Sequence, residues 1–401
     1  MTPMTRLAER VRRASPSMTL VISAKAKEMK RKGIDVISLA VGEPDFDTPA
    51  HIKEAAIRAI EEGFTGYTPA AGIPELREAV AAKFRHDNGL EYDPQDVLIT
   101  VGAKQAVYNA LQALCDDGDE VIVPAPYWVS YTEMVKLAGG TPVVVSAGAE
   151  RGFVPDLAQL EDALSERTRA IILNTPNNPS GAVYSRQQLE AIASLAVRHD
   201  LFVIADEVYE KLVYGEAEHV SIASLGEEIK ARTVTVNGVS KAYAMTGWRI
   251  GYAAGPREVI AAMAKLQGQQ TSNATSIAQK ASLAALTGPQ DPVEEMVREY
   301  EGRRDLVVER LSSMPGVRCI KPDGAFYVFA DFSEFYGRSC AGRRVEASLS
   351  LAELLLEEAR VALVPGVAFG MDDYIRLSYA ASRAELQEGL DRIESLLGKL
   401  V

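Results

Sequence analysis

The chain alternates short runs of apolar, mostly β-branched residues with longer segments whose apolar residues recur at helical spacing. Uninterrupted apolar runs such as Ile171–Leu173 and Leu201–Ala205 are typical of central strands buried on both faces, as in a parallel sheet covered by helices. Strand followed by helix, repeated along the chain, therefore predicts an α/β fold. The predicted strands between residues 96 and 254 are Asp96–Val101, Glu120–Val123, Thr141–Val145, Ala170–Asn174, Leu201–Ala205, Thr233–Val236 and Ile250–Ala254. The predicted helices are His51–Gly63, Ile73–Asn88, Ala103–Cys115, Ser185–His199, Asp291–Met314 and Leu351–Val361.

The order of these elements predicts two domains. Residues 46–290 form a large domain with a mostly parallel sheet and helices on both faces. The long helix from Asp291 then precedes three strand-like runs, Val317–Ile320, Ala325–Ala330 and Tyr374–Tyr379, which is typical of a smaller α+β unit. We expect residues 1–45 to pack with residues 291–401 in this small domain.

The charge balance is acidic. Lys plus Arg number 43 against 55 Asp plus Glu, a formal net charge of −12 in 401 residues. This balance argues against nucleic acid or an anionic membrane as a partner held by electrostatics.

The three cysteines and four histidines show no metal-binding or disulfide spacing, so we predict no metal site and a reducing compartment. The N-terminal arginines, Arg6 among them, are not followed by the apolar core of a signal peptide, and no run of about 18 apolar residues occurs. We therefore expect a cytoplasmic protein without a membrane partner.

Four unusual segments directly follow strand-like runs. They are VGAKQA (101–106), NTPNNPSG (174–181), ADEVYEKL (205–212) and NGVSKAYAMTGWRIGY (237–252). Four more segments of the chain belong with them: GEPDFDTP (42–49), GYTPAAGIPELR (66–77), PYWVSY (126–131) and RLSYA (376–380). Together, in this order and spacing, they resemble the aspartate aminotransferase family, fold-type I enzymes that use pyridoxal 5′-phosphate (PLP), and within it the bacterial subgroup. The resemblance implies a PLP-dependent aminotransferase.

Two residues carry the central chemistry that the resemblance implies. Lys241 matches the lysine whose amine bonds to the cofactor and then moves a proton once the substrate has displaced it. Asp206 follows an apolar strand, where a buried carboxylate needs a cationic partner, and the protonated ring nitrogen of PLP is such a partner. Taken alone, Asp206 could instead be the N-cap of a helix over Glu207–Leu212.

The other cofactor contacts also follow from the resemblance. Tyr209, expected on the same helical face as Asp206, and Asn178 would hydrogen-bond the phenolic oxygen. Arg249 and Ser240 would bind the phosphate together with the start of a helix, where backbone N–H groups are free. That helix start is Gly102, Ala103 and Lys104.

The family's shared active site implies a homodimer. Tyr67 matches a tyrosine that reaches the phosphate from the neighbouring subunit, and Trp128 matches the aromatic ring that stacks on PLP. Arg376 resembles the arginine that binds the substrate α-carboxylate, with backbone contacts from Gly42. The resemblance thus places the cleft between the domains, closing over substrate.

The substrate side chain is less constrained than the cofactor site. Animal-type members bind the distal carboxylate of aspartate with a second arginine, but no arginine occurs in Gln269–Thr275. The bacterial subgroup uses a lysine at the position of Lys104, which indicates L-aspartate and 2-oxoglutarate as substrates. Tyr131 and Tyr67 could equally admit aromatic amino acids or prephenate, because such specificities rest on a few side chains.

Other functions stay open. A PLP-dependent carbon–sulfur lyase would keep Lys241 and Asp206. A PLP-binding transcription regulator would need an added basic DNA-binding domain, which neither the length nor the charge supports. A nicotinamide dehydrogenase is disfavoured because no strand leads into GxGxxG. The polar segment 336–347 has no assigned role.

Overall fold

The computed structural model describes residues 7–401, so Arg6 and the first residues of the predicted N-terminal unit lie outside it. The strands are β1 (Ile37–Ser38), β2 (Val97–Thr100), β3 (Glu120–Ala125), β4 (Thr141–Ser146), β5 (Thr168–Asn174), β6 (Phe202–Asp206), β7 (Thr233–Gly238), β8 (Gly251–Ala254), β9 (Tyr327–Asp331), β10 (Ser339–Cys340), β11 (Arg343–Arg344), β12 (Val361–Ala362), β13 (Val364–Pro365) and β14 (Tyr374–Ser378). The α-helices are α1 (Glu9–Arg13), α2 (Met18–Arg31), α3 (Ala50–Glu61), α4 (Pro74–Asn88), α5 (Ala103–Leu114), α6 (Tyr131–Leu137), α7 (Leu157–Asp162), α8 (Arg186–Arg198), α9 (Glu227–Lys230), α10 (Arg257–Gln270), α11 (Ser276–Thr287), α12 (Asp291–Ser313), α13 (Ser348–Leu354) and α14 (Arg383–Leu397).

A seven-stranded sheet in the order β2-β8-β7-β6-β5-β3-β4 forms the centre of the molecule. Strands β3 to β7 pair in parallel, whereas β8 runs antiparallel to both of its neighbours. All seven strands predicted for this region form, with bounds within two residues of the prediction. The expected α/β architecture is confirmed.

Burial on both faces explains the continuous apolar runs. Along β5, Ile171 and Leu173 pack into one hydrophobic cluster, whereas Ala170 and Ile172 pack into another on the opposite face. Successive strand residues point to opposite faces, so a sheet covered on both sides has no polar face.

A second, antiparallel sheet in the order β13-β14-β9 lies in the C-terminal part. The helix α12 packs against β9, and α14 packs against α12. Two predictions here are wrong in detail. The run Val317–Ile320 is not a strand, and only Arg318 bridges to Asp331 of β9. The predicted helix Leu351–Val361 begins earlier, at α13, and ends after a π-helical turn over Leu355–Ala359.

Four helices of more than ten residues, α2, α10, α11 and α14, are absent from the sequence prediction. In α11 the buried positions are mainly small, with Ala278, Ala281 and Ala285 facing the core. A face built from alanine and serine gives a weak hydrophobic period, and packing rather than amphipathicity then determines the helix.

The N-terminal segment joins both parts of the molecule. Strand β1 pairs in parallel with β12 of the C-terminal part. However, α1 contacts α6, and the Ser15 N–H donates a hydrogen bond of 2.7 Å to Glu133 of that helix. The β1–β12 pairing supports the division that we propose, a large domain over 46–290 and a small one over 1–45 and 291–401. Within residues 7–401, no helix combines the length and apolar character needed to cross a membrane.

Candidate active site

A cleft of about 440 Å³ opens between the two sheets, at the carboxyl ends of β5 and β6. Ligands of open α/β sheets bind at this edge. Eleven of the thirteen predicted site residues line it, all except Gly102 and Tyr67. The eleven are Gly42, Ala103, Lys104, Trp128, Asn178, Asp206, Tyr209, Ser240, Lys241, Arg249 and Arg376.

Asp206 ends β6 and is only 4% exposed. Its Oδ2 accepts a hydrogen bond of 2.7 Å from the Tyr131 hydroxyl, and its Oδ1 accepts one of 3.3 Å from the Val208 N–H. Burial raises the pKa of Asp206 to about 6, against the opposite effect of these two bonds. The carboxylate is thus mainly deprotonated at neutral pH. A buried negative charge of this kind is stabilised by a cation, which a ligand could supply.

The segment after Asp206 is a turn, not a helix. The N-cap alternative over Glu207–Leu212 is therefore wrong, and so is the expectation that Tyr209 shares a helical face with Asp206. The turn still brings Tyr209 to the cleft, because the backbone reverses immediately beyond the sheet edge.

Lys241 follows β7 and is partly buried, and its Nζ donates a hydrogen bond of 2.5 Å to the carbonyl oxygen of Gly42. Burial lowers the pKa of Lys241 to about 8. The carboxylate of Glu43 opposes this lowering, whereas the charges of Arg376 and Arg249 add to it. A sizeable fraction of the amine is neutral near physiological pH and can act as a nucleophile and base.

Arg376 enters the cleft from β14 and is 1% exposed. Its Nη1 donates to Asn178 Oδ1 at 2.9 Å and its Nη2 to the Ala40 carbonyl at 2.6 Å, while its buried Nε has no partner among residues 7–401. The Tyr327 ring lies beneath the guanidinium, 4.5 Å from its centroid, and the Tyr327 hydroxyl is 2.8 Å from that of Tyr209. Sequence reasoning missed Tyr327 because its strand FYVFA carries no motif and only strand pairing places it there.

The helix α5 begins at Ala103, directly after β2 and Gly102. Its first N–H groups have no side-chain cap, so the N–H groups of Ala103 and Lys104, two residues that line the cleft, are left as hydrogen-bond donors. Gly102 has a φ of +79°, and a Cβ there would collide with the Arg249 guanidinium. Glycine therefore lets this helix start approach the arginine closely, although Gly102 itself does not line the cleft.

Arg249 is held by its own loop rather than by a carboxylate. Its Nη1 donates to the Thr246 carbonyl at 2.9 Å. Ser240, which is buried, lies on the same side of the cleft. A guanidinium, a hydroxyl and free helix N–H groups form a donor set suited to a phosphate.

The aromatic wall consists of Trp128 and Tyr131, whose rings meet edge to face at 5.4 Å. The Lys104 Nζ lies 4.7 Å from the centre of the Trp128 ring. Burial and the neighbouring Arg249 lower the pKa of Lys104. The amine of Lys104 thus lies in the cleft beside the aromatic wall.

Five charged side chains of the cleft have no ion-pair partner in the described part of the chain. No carboxylate of residues 7–401 forms an ion pair with Lys104, Lys241, Arg249 or Arg376, and no cation forms one with Asp206. A ligand with anionic ends and one cationic ring atom would satisfy all of them. The donor set therefore fits PLP, whose phosphate and protonated ring nitrogen supply these charges.

Behind the turn, a buried polar cluster that sequence spacing does not reveal anchors its far side. Lys83 forms an ion pair with Glu210, and the Ser221 hydroxyl donates to Glu207 at 2.7 Å. His219 Nε2 lies 3.3 Å from Glu207 Oε2. Glu207 and Glu210 lie between and beside the cleft residues Asp206 and Tyr209 in the chain. Their contacts therefore hold the backbone that carries Asp206 and Tyr209.

Tyr67 lies outside the cleft and is 93% exposed. Within one chain it does not reach the other predicted site residues.

The fold and the cleft together define a PLP-dependent enzyme of fold type I. The sequence profile described as aminotransferase class I and II matches residues 34–393, and the chain belongs to this family. It is 50% identical to the aspartate aminotransferase of Geobacillus stearothermophilus over 98% of this chain and 99% of that protein. It is also 50% identical to the aspartate/prephenate aminotransferase of Thermus thermophilus, over 98% and 99% of the two chains.

Solved structures agree with these relatives. The aspartate aminotransferase of Rhizobium meliloti superposes with a TM-score of 0.95 at 46% identity, over 99% of this chain and 100% of that one. The Thermus thermophilus enzyme with maleate gives 0.92 at 49% identity, over 98% and 100%. The chain is therefore a PLP-dependent aminotransferase.

Proposed function

We propose that the enzyme transfers the amino group of L-aspartate to 2-oxoglutarate, giving oxaloacetate and L-glutamate by a ping-pong mechanism. The observation that carries this proposal is the pair of cations Arg376 and Lys104, which line one cleft and pair with no carboxylate of residues 7–401. Two cations suit a substrate with two carboxylates. The relatives named aspartate aminotransferase, and the solved relative with maleate, a dicarboxylate, support the same conclusion.

Named residues would hold the cofactor. Asp206 would pair with the ring nitrogen, and the hydroxyl of Tyr209 would donate to the phenolic oxygen. Because Asn178 Oδ1 accepts from Arg376, the Asn178 amide nitrogen is left to donate to that same oxygen. Trp128 would cover the ring, while the phosphate would be bound by Arg249, Ser240 and the start of α5 at Gly102, Ala103 and Lys104.

When bound, PLP withdraws electrons from the α-carbon of the amino acid and so acidifies its α-proton. Lys241 would take that proton, because its amine is partly neutral at physiological pH. Arg376 would fix the α-carboxylate as a planar fork, with the Gly42 backbone beside it. The carboxylate of Asp206 would remain ionised and stabilise positive charge on the ring nitrogen.

Amination of prephenate is a second candidate, since the Thermus thermophilus relative is named an aspartate/prephenate aminotransferase. Prephenate also carries two carboxylates, so Arg376 and Lys104 would suit it equally. The aromatic pocket predicted from Tyr131 and Tyr67 is not formed in the single chain. The Tyr131 hydroxyl is bonded to Asp206, and Tyr67 lies outside the cleft.

The test is a half-reaction with the purified, PLP-loaded protein. Adding L-aspartate without any oxo acid should abolish the visible absorption of the bound cofactor and release oxaloacetate. Adding 2-oxoglutarate should then restore the absorption, and prephenate should do so as well if it is a second acceptor. If aspartate leaves the spectrum unchanged while phenylalanine bleaches it, the proposed substrate is wrong.

We further propose a homodimer in which Tyr67 reaches the phosphate of the partner's site. The exposure of this large side chain supports a covering partner. Mixing a Lys241→Ala subunit with a Tyr67→Ala subunit should regenerate activity, because one site of each mixed dimer then has both native residues. No recovery in dimers verified by mass would show that Tyr67 does not act across the interface.

The cytoplasmic location is also part of this proposal. The three cysteines Cys115, Cys319 and Cys340 are all free, as in a reducing compartment. Labelling of these thiols in freshly lysed cells, without prior reduction, would test it.

A further inference from the structure

The Tyr131 hydroxyl makes one short, buried contact, a hydrogen bond of 2.7 Å to Asp206 Oδ2. Tyr131 is 2% exposed, and its ring is fixed edge to face against Trp128 at the start of α6. The Tyr131 N–H also donates to the Trp128 carbonyl at 3.0 Å. The phenol is thus held toward the carboxylate by both its ring and its backbone.

We propose that Tyr131 is a positioning residue that keeps Asp206 ionised and aimed at the cofactor ring nitrogen at neutral pH. This inference rests on the proposed role of Asp206 in the cofactor site. It assigns to Tyr131 a part in cofactor binding instead of the substrate pocket.

The direction of the hydrogen bond is determined by chemistry. Burial raises the pKa of Tyr131 well above its ordinary value of 10, so the phenol keeps its proton. A carboxylate can only accept, and Tyr131 therefore donates to the charged form of Asp206 and stabilises it.

The surroundings of Asp206 otherwise disfavour its charge. Burial raises its pKa, and the Glu207 carboxylate adds to that effect. Opposing them are the hydrogen bonds from Tyr131 and the Val208 N–H, then the more distant Lys241. Among the side chains that face Asp206, Tyr131 gives the strongest support to the ionised form.

Loss of this donor should therefore move the ionisation of Asp206 to higher pH. A hydrogen bond to a charged group is strong enough to shift such a midpoint by about one pH unit. With the pKa of Asp206 at about 6 in the native protein, that shift would bring its protonation into the physiological range.

The experiment measures binding of deoxypyridoxine phosphate, the cofactor analogue in which a methyl group replaces the aldehyde. This analogue cannot bond covalently to Lys241, so its dissociation constant reports on noncovalent contacts alone. We would determine the constant by equilibrium dialysis across pH for the cofactor-free wild type, Tyr131→Phe, Asp206→Asn and Tyr184→Phe. Tyr184 is a matched control, since it is 3% exposed but does not hydrogen-bond Asp206.

The affinity of the wild type for the analogue should fall as the pH drops through the ionisation of Asp206. In Asp206→Asn this pH-dependent step in affinity should be absent. Tyr131→Phe should raise its midpoint by about one pH unit, whereas Tyr184→Phe should leave it in place. An unchanged midpoint in Tyr131→Phe, with the step absent from Asp206→Asn, would overturn the role of Tyr131 alone. Persistence of the wild-type step in Asp206→Asn would overturn the role of Asp206 and this inference with it.

A second variant guards against misfolding of Tyr131→Phe. A ring-fluorinated tyrosine at position 131 has a more acidic hydroxyl and donates a stronger hydrogen bond within nearly the same volume. It should lower the midpoint, the opposite sign to Tyr131→Phe. A midpoint that stays or rises would overturn the proposal.

Discussion

Arg376 on β14 of the small sheet donates a hydrogen bond of 2.9 Å to Asn178 Oδ1, in the loop that follows β5 of the large sheet. The bond crosses the cleft, so the expected α-carboxylate site is assembled only when the two sheets are correctly placed. Its partner Ala40 belongs to the N-terminal segment, which makes the site a junction of three parts of the chain.

Arg376→Lys should raise KM for aspartate by about tenfold to a hundredfold, because an ammonium cannot reproduce a planar two-pronged contact with a carboxylate. Steady-state kinetics with aspartate would measure it. Arg318→Lys, on an exposed arginine paired with Asp331 near the same sheet, is the control and should leave KM unchanged. Equal KM values for wild type and Arg376→Lys would contradict the assignment.

Lys241→Ala should lose turnover by several orders of magnitude, since it removes the amine that we propose takes the α-proton. The variant should stay folded, because among residues 7–401 the Lys241 side chain makes no ion pair and hydrogen-bonds only a backbone carbonyl. Turnover and circular dichroism of Lys241→Ala and of the exposed-residue control Lys53→Ala would check this. Residual activity near that of the control would exclude Lys241 as the proton carrier.

Lys104→Ala should lower kcat/KM for aspartate by about tenfold, the effect of one charge-assisted contact at a partly solvated site. For phenylalanine, which has no distal carboxylate, the change should be small. Comparing the two substrates in one variant separates loss of side-chain recognition from damage to the nearby phosphate site. A loss of the same size for both substrates would mean that Lys104 serves the cofactor only.

Asp206→Asn should stabilise the cofactor-free protein at alkaline pH. The pKa of Asp206 is about 6 in the folded chain against an ordinary 3.8, so its ionised form opposes folding, and the wild type loses stability as pH rises between these values. The difference corresponds to about 3 kcal/mol at pH 8 and to about half of that at pH 5. Urea unfolding at both pH values measures it, and a variant no more stable than wild type at pH 8 would show that burial does not oppose this charge.

Much of the fold could be predicted from local patterns. The apolar runs identified every strand of the large sheet. In the central strands this signal comes from burial on both faces, whereas the edge strand β4 is apolar in sequence but largely exposed. The motif order around Lys241, Asp206 and Arg376 indicated the chemistry. Asp206 ends β6 and Lys241 follows β7, so these two lie at one edge of the large sheet, whereas Arg376 lies within β14 of the small sheet. The helix α11 escaped prediction because its buried face is made of small residues.

The sequence by itself determined the class of fold, the family and eleven of the residues that line the cleft. Tertiary structure decided the contacts between segments distant in the chain. It turned the Tyr131 hydroxyl toward Asp206, placed Tyr327 beneath Arg376, and replaced the expected helix after Asp206 with a turn. The physical reason is that strand and helix periodicity are local properties, whereas hydrogen-bond partners and pKa shifts depend on which side chains packing brings together and removes from water.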